Sequence, residues 1–220
     1  MRVIFFGTPQ VAVAYLEMLH QRHEVVTVVT QPDRPRGRGR TLTAPPVKHR
    51  AEELAVPVLQ PQKANEPEFI AELAALNADL FVVVAYGQIL SRKLLELPQM
   101  AAVNVHYSLL PKLRGAAPVQ HALMQGLTET GVTVQHIAQE VDAGDIILQR
   151  AVSIEPEDDS QSLTVRLTEV GIELLAEALG LLERGEAPRV PQDHAQATYA
   201  PLLTKASGEI DWGRPAADIV

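Results

Sequence analysis

The sequence contains no cysteine and no apolar run long enough to cross a membrane. Without thiols it has no disulfides, no cysteine nucleophiles and no cysteine-ligated metal sites, which suits a reducing compartment. A spanning helix needs about 20 apolar residues, and the longest apolar runs here reach only about six to eight. Met1 leads directly into a short apolar segment rather than into a signal peptide. We therefore expect a cytoplasmic protein that does not bind a membrane.

The chain also lacks an excess of positive charge, because its net charge is −8. Nonspecific binding of nucleic acid by the whole surface is therefore disfavoured. Its 220 residues suit one large domain that needs no disulfides or metals for stability, since a chain of this size buries roughly 70% of its unfolded surface. We expect this domain to be a monomer.

Short apolar segments alternate with segments of helical period along most of the chain. The segments that predict strands are residues 3–6, 25–30, 56–59, 80–84, 100–105, 131–137 and 146–154. The segments that predict helices are residues 11–19, 46–55, 66–76, 91–97, 118–125 and 160–182, the last with Ser160 as its N-cap. This order predicts an α/β fold with a Rossmann-like, doubly wound, mostly parallel sheet and some antiparallel pairing in the later strands. The first turn, Gly7-Thr8-Pro9, lacks the Gly-x-Gly-x-x-Gly pattern, so a nicotinamide or flavin dinucleotide is not expected.

A basic loop separates the second predicted strand from the next helix, and we call residues 31–46 the arginine loop. It carries Arg34, Arg36, Arg38 and Arg40 among glycines and prolines. Such a segment cannot pack into a core, so it should be exposed and mobile. It is either a solvated connection or an arm that contacts phosphates, because arginine donates bidentate hydrogen bonds to phosphate oxygens.

The most informative stretch runs from Asn104 to Pro118 and begins at the end of a predicted strand. Asn104 and His106 are two residues apart, so both side chains point to one side of an extended backbone. An amide donor beside an imidazole can bind a carbonyl oxygen while a proton moves nearby. A hydrogen-bonded loop histidine and a turn-forming asparagine would explain the same pattern.

Asp142 is the third candidate, in a turn-rich loop that leaves another predicted strand. If that strand neighbours the one carrying Asn104, Asp142 can reach His106, although an Asx-turn is an equally simple explanation. An Asp, a His and an Asn without a Ser or Cys nucleophile suggest direct group transfer with no covalent intermediate. We expect no metal site, because the one nearby histidine has no suitably spaced partner.

Several motifs together resemble the folate-dependent formyltransferases. They are Asn104-Val-His106, Ser108-Leu-Leu-Pro111, Arg114-Gly-Ala-Ala-Pro118 and Asp142-Ala-Gly-Asp145. Gly7-Thr-Pro9 and residues 31–39 of the arginine loop resemble the methionyl-tRNA branch of that family. Three positions depart from the family pattern: Tyr107 replaces a small residue or proline, Leu113 an aromatic residue and Glu140 a frequent glycine.

The resemblance implies transfer of a formyl group from 10-formyltetrahydrofolate to the amino group of methionyl initiator tRNA, for translation initiation. It implies that Asn104, His106 and Asp142 are catalytic. The residues expected to contact folate are Tyr86, Gly87, Ile89, Ser108, Leu109, Leu110 and Pro111, and those expected to contact tRNA are Arg34, Arg36, Arg38 and Arg40. The family also carries a C-terminal OB-like domain. We therefore expect a catalytic domain over residues 1–205 and, over residues 206–220, the start of a linker to a domain absent from this sequence.

Two other functions stay open from the sequence. One is a folate-dependent N-formyltransferase acting on an amino sugar nucleotide, and the other is a folate- or RNA-binding module without turnover. The arginine loop favours tRNA, because a nucleotide sugar carries only a couple of phosphates. The presence of all three candidate catalytic residues favours turnover. Which group accepts the first proton from the attacking amine is open at this point.

Overall fold

The protein, represented by a computed structural model, is described over residues 1–36 and 41–216. Seven strands form its main sheet: β1 (Arg2–Gly7), β2 (Glu24–Val29), β5 (Val58–Leu59), β6 (Leu80–Val84), β7 (Ala101–His106), β8 (Glu129–His136) and β9 (Ile146–Ser153). Two short strands, β3 (Arg34–Arg36) and β4 (Thr41–Thr43), form a separate hairpin. The α-helices of the described residues are α1 (Val13–Arg22), α2 (Pro46–Glu53), α3 (Pro67–Ala75), α4 (Arg92–Leu95), α5 (Pro118–Met124) and α6 (Ser160–Glu183).

The strands are ordered β5-β2-β1-β6-β7-β8-β9 across the main sheet. Strands β5, β2, β1, β6 and β7 are parallel, whereas β8 runs antiparallel to both β7 and β9. The predicted fold class, including the antiparallel pairing of the later strands, is confirmed. Because β2 and β6 lie on opposite sides of β1, the winding reverses there, and ligands typically bind at the carboxyl ends of strands around such a point.

Two apolar cores cover the two faces of the sheet. Alternate residues of β1 divide between them, because successive side chains of a strand point to opposite faces. Val3 and Phe5 join the core that includes residues of α1 and α6. Ile4 and Phe6 join the core that includes residues of α3 and α4. Burial on both faces explains why the central strands are apolar throughout.

Helix α6 packs one apolar stripe onto the sheet. The buried residues of the helix recur at helical spacing: Leu163, Leu167, Gly171, Leu174, Leu175, Ala178, Leu179 and Leu182. The prediction of Ser160 as N-cap is wrong, because Asp159 has the extended backbone of a cap and its carboxylate accepts from the amides of Gln161 and Ser162. The Ser162 hydroxyl completes the capping box by accepting from the Asp159 amide.

The arginine loop has more structure than the sequence predicted. Its strands β3 and β4 pair antiparallel, and Asp33 at their base accepts hydrogen bonds from Gln60 at 2.7 Å and from Lys48 at 2.9 Å. These two bonds lower the pKa of the Asp33 carboxyl. Arg38 and Arg40, two of the predicted tRNA contacts, lie outside the described residues.

Candidate active site

A large cavity opens at the carboxyl ends of β1, β6 and β7. Its volume is about 550 Å³, and its lining includes Pro9 after β1, Tyr86 and Gly87 after β6, and His106 and Tyr107 at the end of β7. The site therefore lies at the edge of the sheet that the strand order favours for ligand binding.

A smaller cavity of about 130 Å³ lies beside the larger one, and its apolar lining includes Ile89, Leu90, Ile137 and Val141. The two cavities share four lining residues, which are Val83, Gln88, Asn104 and Asp142. The shared residues form the partition between the cavities, so groups bound on either side would meet at Asn104 and Asp142.

The carboxylate of Asp142 is held by three donors. Its Oδ2 accepts from the backbone amide of Gly115 at 2.8 Å, and its Oδ1 accepts from Gln135 Nε2 at 3.2 Å and Asn104 Nδ2 at 3.4 Å. Charged acceptors with several N–H donors are fixed in both position and orientation. The predicted convergence of Asp142 with Asn104 is therefore observed, and Gln135 and Gly115 complete the arrangement.

The ring of His106 is buried and oriented by a backbone carbonyl. Nε2 lies 2.9 Å from the carbonyl oxygen of Leu113, and this oxygen can only accept, so Nε2 carries the hydrogen. Nδ1 is then the nitrogen that can take up a proton, and it lies 3.6 Å from Asp142 Oδ2. A proton acquired at Nδ1 would therefore face a carboxylate.

The segment Ser108–Pro111 is held by hydrogen bonds to its neighbours, and its expected contacts with folate stay a prediction. Ser108 Oγ donates to the Lys112 carbonyl at 2.6 Å, and the Leu110 amide donates to Thr133 Oγ1 of β8 at 3.2 Å. These bonds satisfy polar groups of the turn, one of them through β8. The turn leads directly into Leu113, whose carbonyl orients His106.

The other three expected folate contacts do reach the cleft. Gly87 and Tyr86 line the larger cavity, and Ile89 lines the smaller one. The Tyr86 ring packs edge-on against Phe6, with 5.4 Å between ring centroids, and its burial raises the pKa of the hydroxyl to about 12.

A chain of hydrogen bonds joins the arginine loop to the wall of the cleft. The Tyr86 carbonyl accepts from Thr8 Oγ1 at 2.9 Å and from Gln31 Nε2 at 3.3 Å. Gln31 Oε1 in turn accepts from Arg34 Nη2 at 3.0 Å. Arg34, at the start of β3, is therefore anchored at the margin of the cleft. Arg36 ends the same strand.

Two of the departures from the family pattern have partners in the structure. The Tyr107 hydroxyl lies 2.9 Å from the hydroxyls of both Tyr15 and Thr168, and burial raises the pKa of both tyrosines. Glu140 Oε1 lies 3.5 Å from Nη1 of the buried Arg114. Tyr107 thus ties the end of β7 to α1 and α6, and Glu140 partly balances a buried cation.

Four contributors to the site were missed by sequence reasoning: the Leu113 carbonyl, the Gly115 amide, Gln135 and Gln192. The first two act through backbone groups. Gln135 belongs to a segment whose alternation of polar and apolar residues was used only to predict a strand. Gln192, whose side chain donates to the backbone carbonyl of Asp142 at 2.9 Å, lies in an irregular segment, where no period marks a residue as buried.

No helix of residues 1–36 and 41–216 is both long enough and apolar enough to span a membrane. The same residues contain no cluster of three or more His, Asp or Glu side chains that could hold a metal ion.

Comparisons with known proteins identify the family of the chain. The Formyl transferase family matches residues 1–179. The methionyl-tRNA formyltransferase of Geobacter metallireducens is 50% identical over 211 residues, which cover 96% of this chain and 68% of the relative. The methionyl-tRNA formyltransferase of Listeria monocytogenes serotype 4a is 47% identical over 218 residues, which cover 99% of this chain and 70% of the relative.

Solved structures with other formyl acceptors share the fold. Phosphoribosylglycinamide formyltransferase from Bacillus halodurans is 26% identical, with a TM-score of 0.66 over 79% of this chain and 91% of its own. The sugar 3N-formyl transferase WlaRD, solved in the presence of dTDP and 5-N-formyl-THF, has a TM-score of 0.70 over 91% of this chain and 69% of its own. At 16% identity that second likeness concerns the fold alone. The match over residues 1–179 and the relatives of near 50% identity show that the chain belongs to the formyl transferase family, together with the methionyl-tRNA formyltransferases.

Proposed function

We propose that this protein transfers a formyl group from 10-formyltetrahydrofolate to the amino group of methionyl initiator tRNA, as a cytoplasmic monomer. One observation carries the proposal: Asn104 and Asp142 line both cavities, and His106 Nδ1 lies 3.6 Å from the Asp142 carboxylate. Formyl transfer to an amine needs a proton acceptor and a donor to the carbonyl oxygen at one point. These three side chains supply both.

The folate donor brings the activated formyl group, and the smaller cavity suits its flat ring. Ile89, Leu90, Ile137 and Val141 offer apolar walls, which a pteridine needs together with a few polar contacts. In this proposal the Ser108–Pro111 segment contacts folate together with Tyr86, Gly87 and Ile89. The same segment leads into Leu113, whose carbonyl is bonded to His106 Nε2.

The larger cavity is the proposed entry for the methionyl end of the tRNA. It contains His106 and opens beside Tyr86, whose carbonyl is linked through Gln31 to Arg34. A cationic hairpin at that margin can contact phosphates of the acceptor end, since arginine matches phosphate geometry. Arg34, Arg36, Arg38 and Arg40 are the proposed contacts.

His106 accepts the proton of the attacking amine at Nδ1. An α-amino group has a pKa of about 8, so a part of it is neutral at pH 7. The neutral amine attacks the formyl carbon and must lose one proton as the new C–N bond forms. With Nε2 bonded to the Leu113 carbonyl, Nδ1 is the available base, and the Asp142 carboxylate stabilises the imidazolium that results.

Asn104 donates a hydrogen bond to the transferred carbonyl oxygen as it becomes negative, and the positive charge of the nearby imidazolium of His106 adds to this stabilisation. Asn104 Nδ2 makes only a long, 3.4 Å contact with Asp142 Oδ1, so the amide can turn its donors to a substrate without losing a strong bond. Such preorganised donors typically contribute about 3 kcal/mol each to the transition state. His106 then returns the proton to the departing folate nitrogen, which completes the transfer without a covalent enzyme intermediate.

A comparison of acceptors tests the proposal. The protein is incubated with 10-formyltetrahydrofolate and either methionyl initiator tRNA or a dTDP-linked amino sugar, and the formylated product is identified by mass spectrometry. We expect formylmethionyl-tRNA, and none from a His106→Ala variant of the same preparation. Preferred formylation of the sugar would assign the site to the second acceptor class, and turnover of neither would contradict an enzymatic role.

A further inference from the structure

An irregular segment, residues 188–200, holds two catalytic loops together, and we call it the C-terminal strap. It lies beyond residues 1–179, the part of the chain that matches the family. Val190 pairs with Ile146 through two backbone hydrogen bonds of 2.8 and 3.1 Å. Further along, Thr198 and Ala200 bond to the amide and carbonyl of Arg114 at 2.9 and 2.7 Å. The strap is thus hydrogen-bonded both to the strand that follows the loop of Asp142 and to the loop of Gly115.

Gln192 is the buried side chain at the centre of the strap. Its Oε1 accepts from Arg114 Nε at 3.1 Å and from Arg114 Nη2 at 2.7 Å. A guanidinium only donates, so this contact fixes which end of the carboxamide is oxygen. Its Nε2 therefore faces the other way and donates to the carbonyls of Asp142 at 2.9 Å and Gly144 at 2.7 Å.

The Asp142 backbone needs such support because its φ is +52°. This left-handed conformation is unfavourable for residues with a Cβ. The neighbouring turn is also tight, since a Cβ at Gly144 would lie 1.8 Å from the His136 carbonyl oxygen. The carbonyls of Asp142 and Gly144 both accept from Gln192 Nε2. These two hydrogen bonds are compatible with the left-handed conformation of the turn and support it.

We propose that Gln192 is a positioning residue, whose carboxamide holds Asp142 in the conformation that presents its carboxylate to His106 Nδ1. The proposal rests on the proposed function of Asp142 and adds a residue from outside the matched domain. Arg114 takes part in the same positioning. Its buried guanidinium orients Gln192, and the amide of the next residue, Gly115, donates to Asp142 Oδ2.

Gln192→Glu is the sharpest variant, because it keeps the shape and the acceptor for Arg114 but removes both donors to the carbonyls. We expect kcat for formyl transfer to fall at least tenfold, while KM for the folate donor changes less than twofold. Gln99→Glu makes the same change at an exposed position before β7, at the opposite edge of the sheet, and should retain the wild-type kcat. A loss below threefold in Gln192→Glu would overturn the proposal.

A double-mutant cycle shows whether Gln192 acts through Asp142. In an Asp142→Asn background, Gln192→Glu should add less than a twofold loss, because the carboxylate that it positions is already gone. Equal losses in both backgrounds would show that Gln192 acts elsewhere and would overturn the proposal.

Hydrogen exchange of the Gly115 amide gives a readout that needs no turnover. This amide donates to Asp142 Oδ2, so we expect it to exchange at least tenfold faster in Gln192→Glu than in the wild type or in Gln99→Glu. Unchanged protection would overturn the positioning role even in a preparation that formylates well. Faster exchange in a protein that formylates neither acceptor would support the positioning role and contradict only the proposed function.

Discussion

His106 and Asp142 face each other across 3.6 Å, from Nδ1 to Oδ2, although one comes from the end of a strand and the other from a loop 36 residues later in the chain. The relationship depends on backbone groups of a third segment. The Leu113 carbonyl binds Nε2 of His106, and the Gly115 amide binds Oδ2 of Asp142. Two consecutive peptide groups, one on each side of Arg114, therefore set the tautomer of the base and the position of its carboxylate.

Gly115→Ala should lower both stability and formylation. Gly115 has a φ of +118°, and a Cβ there would lie 2.8 Å from the Ala200 carbonyl oxygen, so the loop must shift and move the amide away from Asp142. We expect formylation to fall at least tenfold, measured in a standard assay beside thermal unfolding. Gly126→Ala is the matched control, because Gly126 has a φ of +63° with nothing within 4 Å of the added Cβ. That control should cost roughly 1–2 kcal/mol of stability and leave the formylation rate intact, and equal rates in the two variants would count against the role of Gly115.

Much of the fold can be predicted from the sequence, because the burial of side chains produces a periodic pattern of apolar residues. Strands such as Leu80–Val84 are buried on both faces and are apolar throughout, and α6 shows its stripe at every turn. Asn104 and His106 were identifiable because a strand end brings alternate residues to one side. The same reasoning failed at Ser160, where a cap one residue earlier satisfies the same amides.

The residues that support the site leave no comparable pattern in the sequence. Gln192 contacts two carbonyls and a guanidinium inside an irregular segment, and side chain to backbone bonds of this kind have no fixed spacing. The Ser108–Pro111 turn is bonded to β8, where Thr133 Oγ1 accepts from the Leu110 amide. Such contacts depend on which loops meet in space, which neither composition nor periodicity reports.

The arginine loop should determine the salt dependence of tRNA use. Replacing Arg38 and Arg40 with alanine should weaken formylation of methionyl-tRNA and leave folate binding nearly unchanged, with each lost phosphate contact removing about 0.7 to 0.9 from the log–log salt slope. The assay is formylation across a range of NaCl concentrations. Arg22→Ala with Arg184→Ala removes the same charge from two exposed positions at the other edge of the sheet and should keep the wild-type slope. If the loop variant has the tRNA affinity and the salt slope of the wild type, the arginine loop is only a solvated connection.

The stability of the protein should fall as the pH drops below about 6.5, in part because of His136. Burial, and then the nearby Arg189, lower the pKa of the His136 imidazole below its ordinary value of 6.5, against the opposing effect of Asp145. The unfolded chain takes up a proton at a pH where the folded chain does not, so acid favours unfolding between the ordinary and the lowered pKa. Urea unfolding at pH 7.5 and pH 5.5 measures the effect.

His136→Gln should narrow the difference in the free energy of unfolding between those two pH values. Burial also lowers the pKa of His23. The free energy of unfolding of the double variant His23→Gln with His136→Gln should therefore depend less on pH than that of His136→Gln alone. An identical pH dependence in the wild type and the double variant would mean that neither imidazole is kept neutral by the fold.

The central claim is that Asn104, His106 and Asp142 carry formyl transfer to methionyl initiator tRNA. Single-turnover formylation at saturating 10-formyltetrahydrofolate, compared between the wild type and the three alanine variants, tests it most directly. We predict rapid formation of formylmethionyl-tRNA by the wild type and a loss of about a hundredfold or more in each variant, with unchanged circular dichroism because these side chains line the cavities and belong to neither apolar core. A variant that keeps near wild-type rate would contradict the role given to that residue, and a wild type that leaves methionyl-tRNA unformylated would contradict the account as a whole.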